Sequence, residues 1–132
     1  MIIAVAIDDN SGMTFNNRRQ SRDSALCADL LNSATAKLRM NSYSAKLFDE
    51  NEKIIVSESF LDEAADNDVC FVENVSPTPY IDRAIGLIIY RWNRRYPVQT
   101  KFDVDLSQFK LVSSFDFVGT SHEKITKEIY KR

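Results

Sequence analysis

The chain has 132 residues, 44% of them hydrophobic and 27% charged, which fits one folded domain and argues against intrinsic disorder. Its 17 basic and 19 acidic side chains give a net charge of −2, so no overall positive field attracts nucleic acid. No apolar run approaches the roughly 20 residues of a membrane span, and the first residues lack the basic flank of a secretion signal. We therefore expect a cytoplasmic protein without a membrane segment.

The first half of the chain alternates predicted strands and helices. The apolar run MIIAVAID is typical of a central strand buried on both faces, and a polar loop follows it. Ser21 is an expected N-cap for a helix from Arg22 to about Lys37. Further strands are predicted at KLRMN, at KIIVSE (a buried strand) and at VCFVENV, and a short helix at SFLDEAADND; SYSAKLF fits either a helical turn or a loop.

Strands accumulate in the second half. Thr78 and Pro79 open a predicted helix, PYIDRAI, that ends at Gly86, and LIIYRWN resumes as a strand. The segments TKFDVDL and QFKLVSSFDFV alternate with period two and predict antiparallel strands. The tail, HEKITKEIYKR, fits a helix or a strand, and its β-branched residues favour a strand. This order predicts a single α/β domain over residues 1–132, a three-layer sandwich whose mixed sheet is mostly parallel with antiparallel C-terminal strands.

The order of elements resembles that of the dihydrofolate reductases. That family begins with an apolar strand, a loop that contains Gly-Met or a similar pair, and a helix with an acid near its start; MIIAVAID, Gly12-Met13 and Asp23 occupy these places. The stretch from VCFVEN to FDF follows the later rhythm of the family, so the resemblance spans nearly the whole chain and implies a reductase-like fold. Where the family has a glycine pair that lets the backbone approach the cofactor pyrophosphate, this chain has Glu73-Asn74. The sequence therefore leaves the identity of a cofactor unknown.

The sequence is also similar to short bacterial proteins that sometimes carry the label ribonuclease Z. True ribonucleases of that type bind two zinc ions through a histidine-rich motif. This chain has one histidine, His122, and cannot supply such a site, so we do not expect metal-dependent RNA cleavage.

Two arginine clusters are the main functional signal of the sequence. Arg18, Arg19 and Arg22 form the first cluster, and Arg91, Arg94 and Arg95 the second. Guanidinium groups match carboxylates and phosphates, and the interleaved aromatic residues can stack on a ring. Solvated loop ends are the alternative interpretation. The hypothesis is a binding site for an anionic small molecule or nucleotide, with these candidate ligand-binding residues: Arg18, Arg19, Gln20, Arg22, Tyr90, Arg91 and Trp92.

Alternatives to a binding protein remain open, and the sequence does not decide whether the chain is an enzyme. As a divergent reductase or a nucleotide-processing enzyme it would use Asp23 as the acid, although an Asp here also serves to cap the helix. An RNA- or protein-binding module would use the stretch YRWNRRY, and the C-terminal strands could pair across a homodimer. His122 is expected in an exposed turn, because no nucleophile motif accompanies it. Cys27 and Cys70 are expected to be small buried residues without a disulfide.

Overall fold

The computed structural model describes all 132 residues. Ten strands are formed: β1 (Ile2–Ile7), β2 (Gly12–Phe15), β3 (Arg18–Arg19), β4 (Leu38–Met40), β5 (Ile54–Val56), β6 (Val69–Phe71), β7 (Gly86–Arg91), β8 (Thr100–Lys101), β9 (Lys110–Phe117) and β10 (Ile125–Lys131). The helices are α1 (Ser24–Ser33), α2 (Ser42–Ala45) and α3 (Phe60–Glu63), with 3₁₀ segments at Thr78–Arg83 and Leu106–Gln108. None of the helices is both long and apolar enough to cross a membrane.

Seven strands form the central sheet, in the order β5-β4-β6-β1-β7-β10-β9. The first five are parallel to one another, and β10 and β9 add an antiparallel edge. Helices α1 and α2 pack on one face, while α3 and the 3₁₀ segments pack on the other. The predicted three-layer α/β sandwich, mostly parallel with antiparallel C-terminal strands, is confirmed.

Strand β1 is the centre of the sheet, as the apolar run predicts. Ile3, Val5 and Ile7 point into the core under α3 and are at most 1% exposed. The alternate positions, Ala4 and Ala6, face α1. Their small side chains let the helix lie close to the sheet, and the parallel strands deliver their carboxyl ends to one edge, where ligand sites of α/β proteins lie.

The segment after β1 is more ordered than the predicted loop. Strands β2 and β3 form a hairpin, and β8 pairs with the other side of β2. Asn16 and Asn17 make the turn with φ of 54° and 60°. A two-residue turn with both central residues at positive φ matches the twist of a hairpin, and Asn tolerates that conformation. The hairpin therefore fixes the backbone of Arg18 and Arg19, whereas Arg22 lies beyond it.

Helix α1 starts later and ends earlier than predicted. Its N-cap is Asp23, whose side chain accepts a hydrogen bond from the Ala25 backbone N–H, and not Ser21. The helix ends at Ser33, and Ala34 already has an extended backbone.

Three further predictions need correction. KIIVSE is an edge strand and not a buried one, since β5 has a neighbour on one side only. The PYIDRAI helix is 3₁₀, and Gly86 begins β7, where a Cβ would meet the Tyr130 carbonyl oxygen at 2.7 Å. In the predicted strand TKFDVDL only the two-residue β8 forms, because Phe102 turns into the core and Asp105 caps the following 3₁₀ turn.

The two segments with alternative predictions are also assigned by the structure. SYSAKLF contains the helical turn α2, and the tail HEKITKEIYKR contains the strand β10.

Candidate functional site

A cleft opens beside the carboxyl ends of β1, β6 and β7, next to the N-terminus of α1. It is lined by the continuous run Arg19–Asp23, by Glu73 and Trp92, and by apolar side chains of the floor. Its enclosed volume is about 10 Å³, which is the room of about one water molecule. Any larger ligand therefore has to displace side chains at the rim.

The structure brings together only part of the predicted ligand-binding set. Of the predicted residues, Arg19, Gln20, Arg22 and Trp92 line the cleft. Arg18 is exposed and lies outside it.

Two other predicted ligand-binding residues belong elsewhere. Tyr90 is fully buried under α1, where its hydroxyl donates to Asp29 at 2.6 Å, so it does not line the cleft. Arg91 pairs with Glu128 of β10 at 2.7 Å, away from the cleft. Strand alternation explains Arg91, because neighbours along a strand point to opposite faces. Tyr90 and Trp92 share the face under α1, and of these two only Trp92 lines the cleft.

Arg19 is already neutralised by a carboxylate. Its guanidinium binds Glu73 through two bonds of 2.9 and 3.1 Å and lies 4.2 Å from the centre of the Tyr43 ring. Glu73 is 9% exposed and also accepts from Ser44 at 2.7 Å. Burial disfavours the charged guanidinium, but the contacts with Glu73 outweigh burial and raise the pKa of Arg19. Arg19 therefore joins β3 to the end of β6 and contributes little net charge to the cleft.

The Asp23 carboxylate is completely occupied by hydrogen-bond donors. Oδ1 accepts from the backbone of Ala25 at 2.9 Å and of Thr120 at 2.8 Å, and Oδ2 accepts from the backbone of Ser121 at 2.8 Å. His122 Nδ1 lies 2.9 Å from Oδ2. Burial alone would raise the pKa of this carboxyl, but the bonds from Thr120, His122 and Ser121 hold it well below its usual value.

Asp23 joins the N-terminus of α1 to the turn that precedes β10. The bonds that lower its pKa favour the ionised carboxylate. The role of Asp23 as the acid of an enzyme stays a prediction.

His122 is buried and is not the exposed turn residue that the sequence predicts. It is 5% exposed, and its ring stacks on Trp92 with the ring centres 4.5 Å apart and an interplanar angle of 26°. Its Nε2 lies 3.0 Å from Ser21 Oγ and 3.1 Å from Tyr96 Oη. A sequence signal for this buried environment of His122 is the preceding run Gly119-Thr120-Ser121, because small and hydroxyl-bearing residues can enclose a carboxylate.

Both cysteines are free, as predicted. Burial raises the pKa of the Cys27 thiol, which lines the cleft, to about 11, and the same cause raises that of Cys70 to about 11. Neither is a reactive thiolate near neutral pH. No three His, Cys, Asp or Glu side chains are grouped so as to hold a metal ion.

Comparison with known proteins identifies the fold. No protein-family model and no curated protein matches the chain. Among solved structures, a dihydrofolate reductase from Enterococcus faecalis, complexed with NADP(H) and RAB-propyl, superposes with a TM-score of 0.67 at 15% sequence identity. The match covers 100% of this chain and 96% of that one. The chain therefore has a dihydrofolate reductase-like fold.

Proposed function

We propose that the protein binds a small anionic molecule, such as a nucleotide, in the cleft at the N-terminus of α1. One observation carries the proposal: Gln20 and Arg22 line the same cleft, the buried Gln20 carbonyl oxygen has no hydrogen-bond partner, and the Arg22 guanidinium has no ion-pair partner. A nucleotide or a carboxylated heterocycle has the complementary groups, because its ring edge offers N–H donors and its acid group is an anion.

Arg22 is the source of positive charge for this ligand. Arg19 and Asp23 both have charged or hydrogen-bonding partners of their own, whereas the ion pairs of the structure do not include Arg22. Its side chain is exposed at the rim of the cleft and is free to turn inward. A guanidinium and a phosphate or carboxylate form strong, charge-assisted hydrogen bonds.

Gln20 supplies the acceptor. Its Nε2 donates to the Pro97 carbonyl oxygen at 3.1 Å, which fixes the other atom of the amide as the oxygen. That oxygen, Oε1, is the one buried side-chain nitrogen or oxygen of the structure without a hydrogen-bond partner. A buried acceptor without a partner costs about 1–3 kcal/mol, and a ligand N–H would recover that energy.

Tryptophan fluorescence offers a direct test. Trp92 is the single tryptophan and lines the cleft, so titration with nucleoside monophosphates or pterins is expected to give a saturable change. The Arg22→Ala variant is expected to weaken binding about tenfold, equivalent to ~1.4 kcal/mol, and Gln20→Ala to weaken it as well. Arg18→Ala is the matched control, because it removes an equally exposed arginine outside the cleft. No saturable change with any of these ligands, or equal weakening by Arg18→Ala, would overturn the proposal.

The reductase alternative shares the fold, but the end of β6 does not fit the cofactor. In the resembled family the backbone after this strand approaches the pyrophosphate through a glycine pair. Here Glu73 and Asn74 stand in place of those glycines, and the Glu73 side chain is buried and held by Arg19 and Ser44, so the backbone lacks the open approach that glycine gives. We therefore derive no hydride-transfer step for this chain.

In the RNA-binding alternative, two aromatic residues expected to stack on bases are buried. Tyr90 and Trp92 are at most 4% exposed, so neither can stack on a base. The exposed residues of that stretch are Asn93, Arg94 and Arg95.

We propose homodimer formation through the edge strand as the protein–protein contact. β9 ends the sheet and carries the exposed apolar side chains Leu111, Val112 and Phe115, and an uncovered edge of this kind pairs readily with another strand. Sedimentation equilibrium is expected to show a dimer that Val112→Lys converts to a monomer. A monomeric wild type would remove this contact.

A further inference from the structure

Two side chains from one loop, Ser21 and Asp23, and the distant His122 form a hydrogen-bonded chain at the cleft. Ser21 Oγ lies 3.0 Å from His122 Nε2, and His122 Nδ1 lies 2.9 Å from Asp23 Oδ2. Ser21 and His122 are separated by 101 positions in the chain. The order hydroxyl, imidazole, carboxylate is the arrangement that activates a serine oxygen as a nucleophile, and it recurs on unrelated folds.

The direction of the hydrogen bonds follows from the carboxylate. Ionised Asp23 only accepts, so the imidazole must carry its proton on Nδ1, and Nε2 of the neutral ring is an acceptor. The Ser21 hydroxyl can then point its hydrogen at Nε2. Tyr96 Oη lies 3.1 Å from His122 Nε2 and 3.4 Å from Ser21 Oγ, so its proton can go to either atom. When Tyr96 donates to Ser21 Oγ, the serine proton is directed at Nε2.

The imidazole is held rigidly. Trp92 covers one ring face, the ring is 5% exposed, and the His122 carbonyl accepts from the Gly119 backbone at 2.9 Å. Asp23 fixes the tautomer and the orientation of the ring. A base whose position and tautomer are fixed needs little reorganisation when it accepts a proton.

Ser21 is less buried than the other two members of this chain. It is half-buried and lines the cleft between Gln20 and Arg22, whereas His122 and Asp23 are buried. The serine oxygen is therefore the member nearest to the cleft, which has room for about one water molecule and has to widen to admit an ester.

We propose that Ser21 is a nucleophile that cleaves small carboxylic esters, with His122 as its base and Asp23 as a positioning residue. Ser21 Oγ bonds to the carbonyl carbon while its proton moves to His122 Nε2. The ester C–O bond then breaks, and the leaving alcohol takes that proton, which leaves an acyl group on Ser21. Water attacks this acyl group with His122 again accepting a proton, and the carboxylic acid and the free Ser21 hydroxyl are released.

The inference goes beyond the proposed binding function and does not depend on it. The anion proposal rests on Arg22 and Gln20, whereas the nucleophile rests on Ser21 and His122. A neutral, general reagent for activated serines therefore tests the nucleophile proposal independently of the anion-site proposal. If Ser21 is labelled and nucleotides do not bind, the nucleophile proposal stands and the anion-site proposal fails. If nucleotides bind and Ser21 is not labelled, the nucleophile proposal fails.

The experiment is reaction with a fluorophosphonate, followed by intact mass and peptide mapping, together with release of p-nitrophenol from p-nitrophenyl acetate. Folded wild-type protein is expected to be labelled once, at Ser21, and to lose labelling when it is first unfolded in urea. Ser21→Ala is expected to abolish labelling, and His122→Gln to slow it by about 100-fold or more. Ser24→Ala is the matched control, since this nearby serine bonds only to Thr120 and is expected to leave the rate unchanged.

The results on wild-type protein alone can overturn the proposal, so the experiment remains decisive even if a variant fails to fold. Absence of label at Ser21, label at other serines only, or equal label in folded and unfolded protein would each contradict it. Full labelling of a folded His122→Gln variant would show that the imidazole does not activate the serine.

Discussion

Replacement of Asp23 by Asn should destabilise the fold by about 3 kcal/mol. If the amide oxygen takes the place of Oδ1, it keeps the bonds from Ala25 and Thr120, but the amide nitrogen then faces the Ser121 N–H and leaves that donor unsatisfied. An unsatisfied buried donor costs about 1–3 kcal/mol, and the remaining bonds lose the strength that a charged acceptor gives them. The opposite amide orientation is worse, because it leaves two backbone donors unsatisfied.

Urea denaturation at a series of pH values measures this difference. The pKa of Asp23 is lower in the folded state than in the unfolded chain, so its contribution is complete above about pH 5 and is lost as the pH falls through about 4 and below. The difference in free energy of unfolding between wild type and Asp23→Asn should therefore become smaller in acid. At neutral pH the variant should also melt about 10 °C lower.

Asp105→Asn is the matched control for this measurement. Asp105 accepts one bond, from the Ser107 backbone at 2.9 Å, at an exposed cap where Asp and Asn are nearly equivalent, so we expect no change in the urea midpoint. Equal stability of Asp23→Asn and wild type at neutral pH, or a gap that does not narrow in acid, would refute the reasoning.

Three other outcomes follow from the same geometry. Gly119→Ala should lower the urea midpoint by the equivalent of ~2 kcal/mol or more, because its Cβ would lie 2.5 Å from Asp23 Oδ2 and 2.9 Å from the His122 carbonyl oxygen. Cys27 and Cys70 should react slowly with a disulfide reagent near neutral pH and fast after unfolding, since burial raises the pKa of each thiol to about 11; fast reaction of folded protein would contradict this. NADPH with dihydropterin substrates should give a flat absorbance trace, and enzyme-dependent oxidation would show that the carboxylate at the end of β6 tolerates the cofactor.

The sequence was sufficient for the architecture because the architecture rests on local patterns. The continuous apolar run of β1 can be buried only between two layers, and the alternation in β9 fits a strand with one exposed face. The hairpin was missed, because Asn16-Asn17 resembles any polar loop until the pairing of β2 with β3 is known. The start of α1 was misplaced, because Ser21 and Asp23 are both good caps and only the distant turn decides between them.

The site was predictable only where neighbours in the chain are also neighbours in space. Arg19, Gln20 and Arg22 follow one another closely and do reach the same cleft. His122 could not be placed, because it meets Asp23 across 99 positions and no spacing rule describes that contact. Arg91 was misplaced for a simpler reason, since adjacent side chains along a strand point to opposite faces.

The tautomer of the single histidine tests the central geometry most directly. In ¹⁵N-labelled protein under mildly alkaline conditions, His122 is predicted to carry its proton on Nδ1, hydrogen-bonded to Asp23, and to lose that signal in Asp23→Asn. One histidine in the chain makes the assignment unambiguous. A ring protonated on Nε2, or one that exchanges freely between tautomers, would contradict the hydrogen-bonded chain that ends at Ser21.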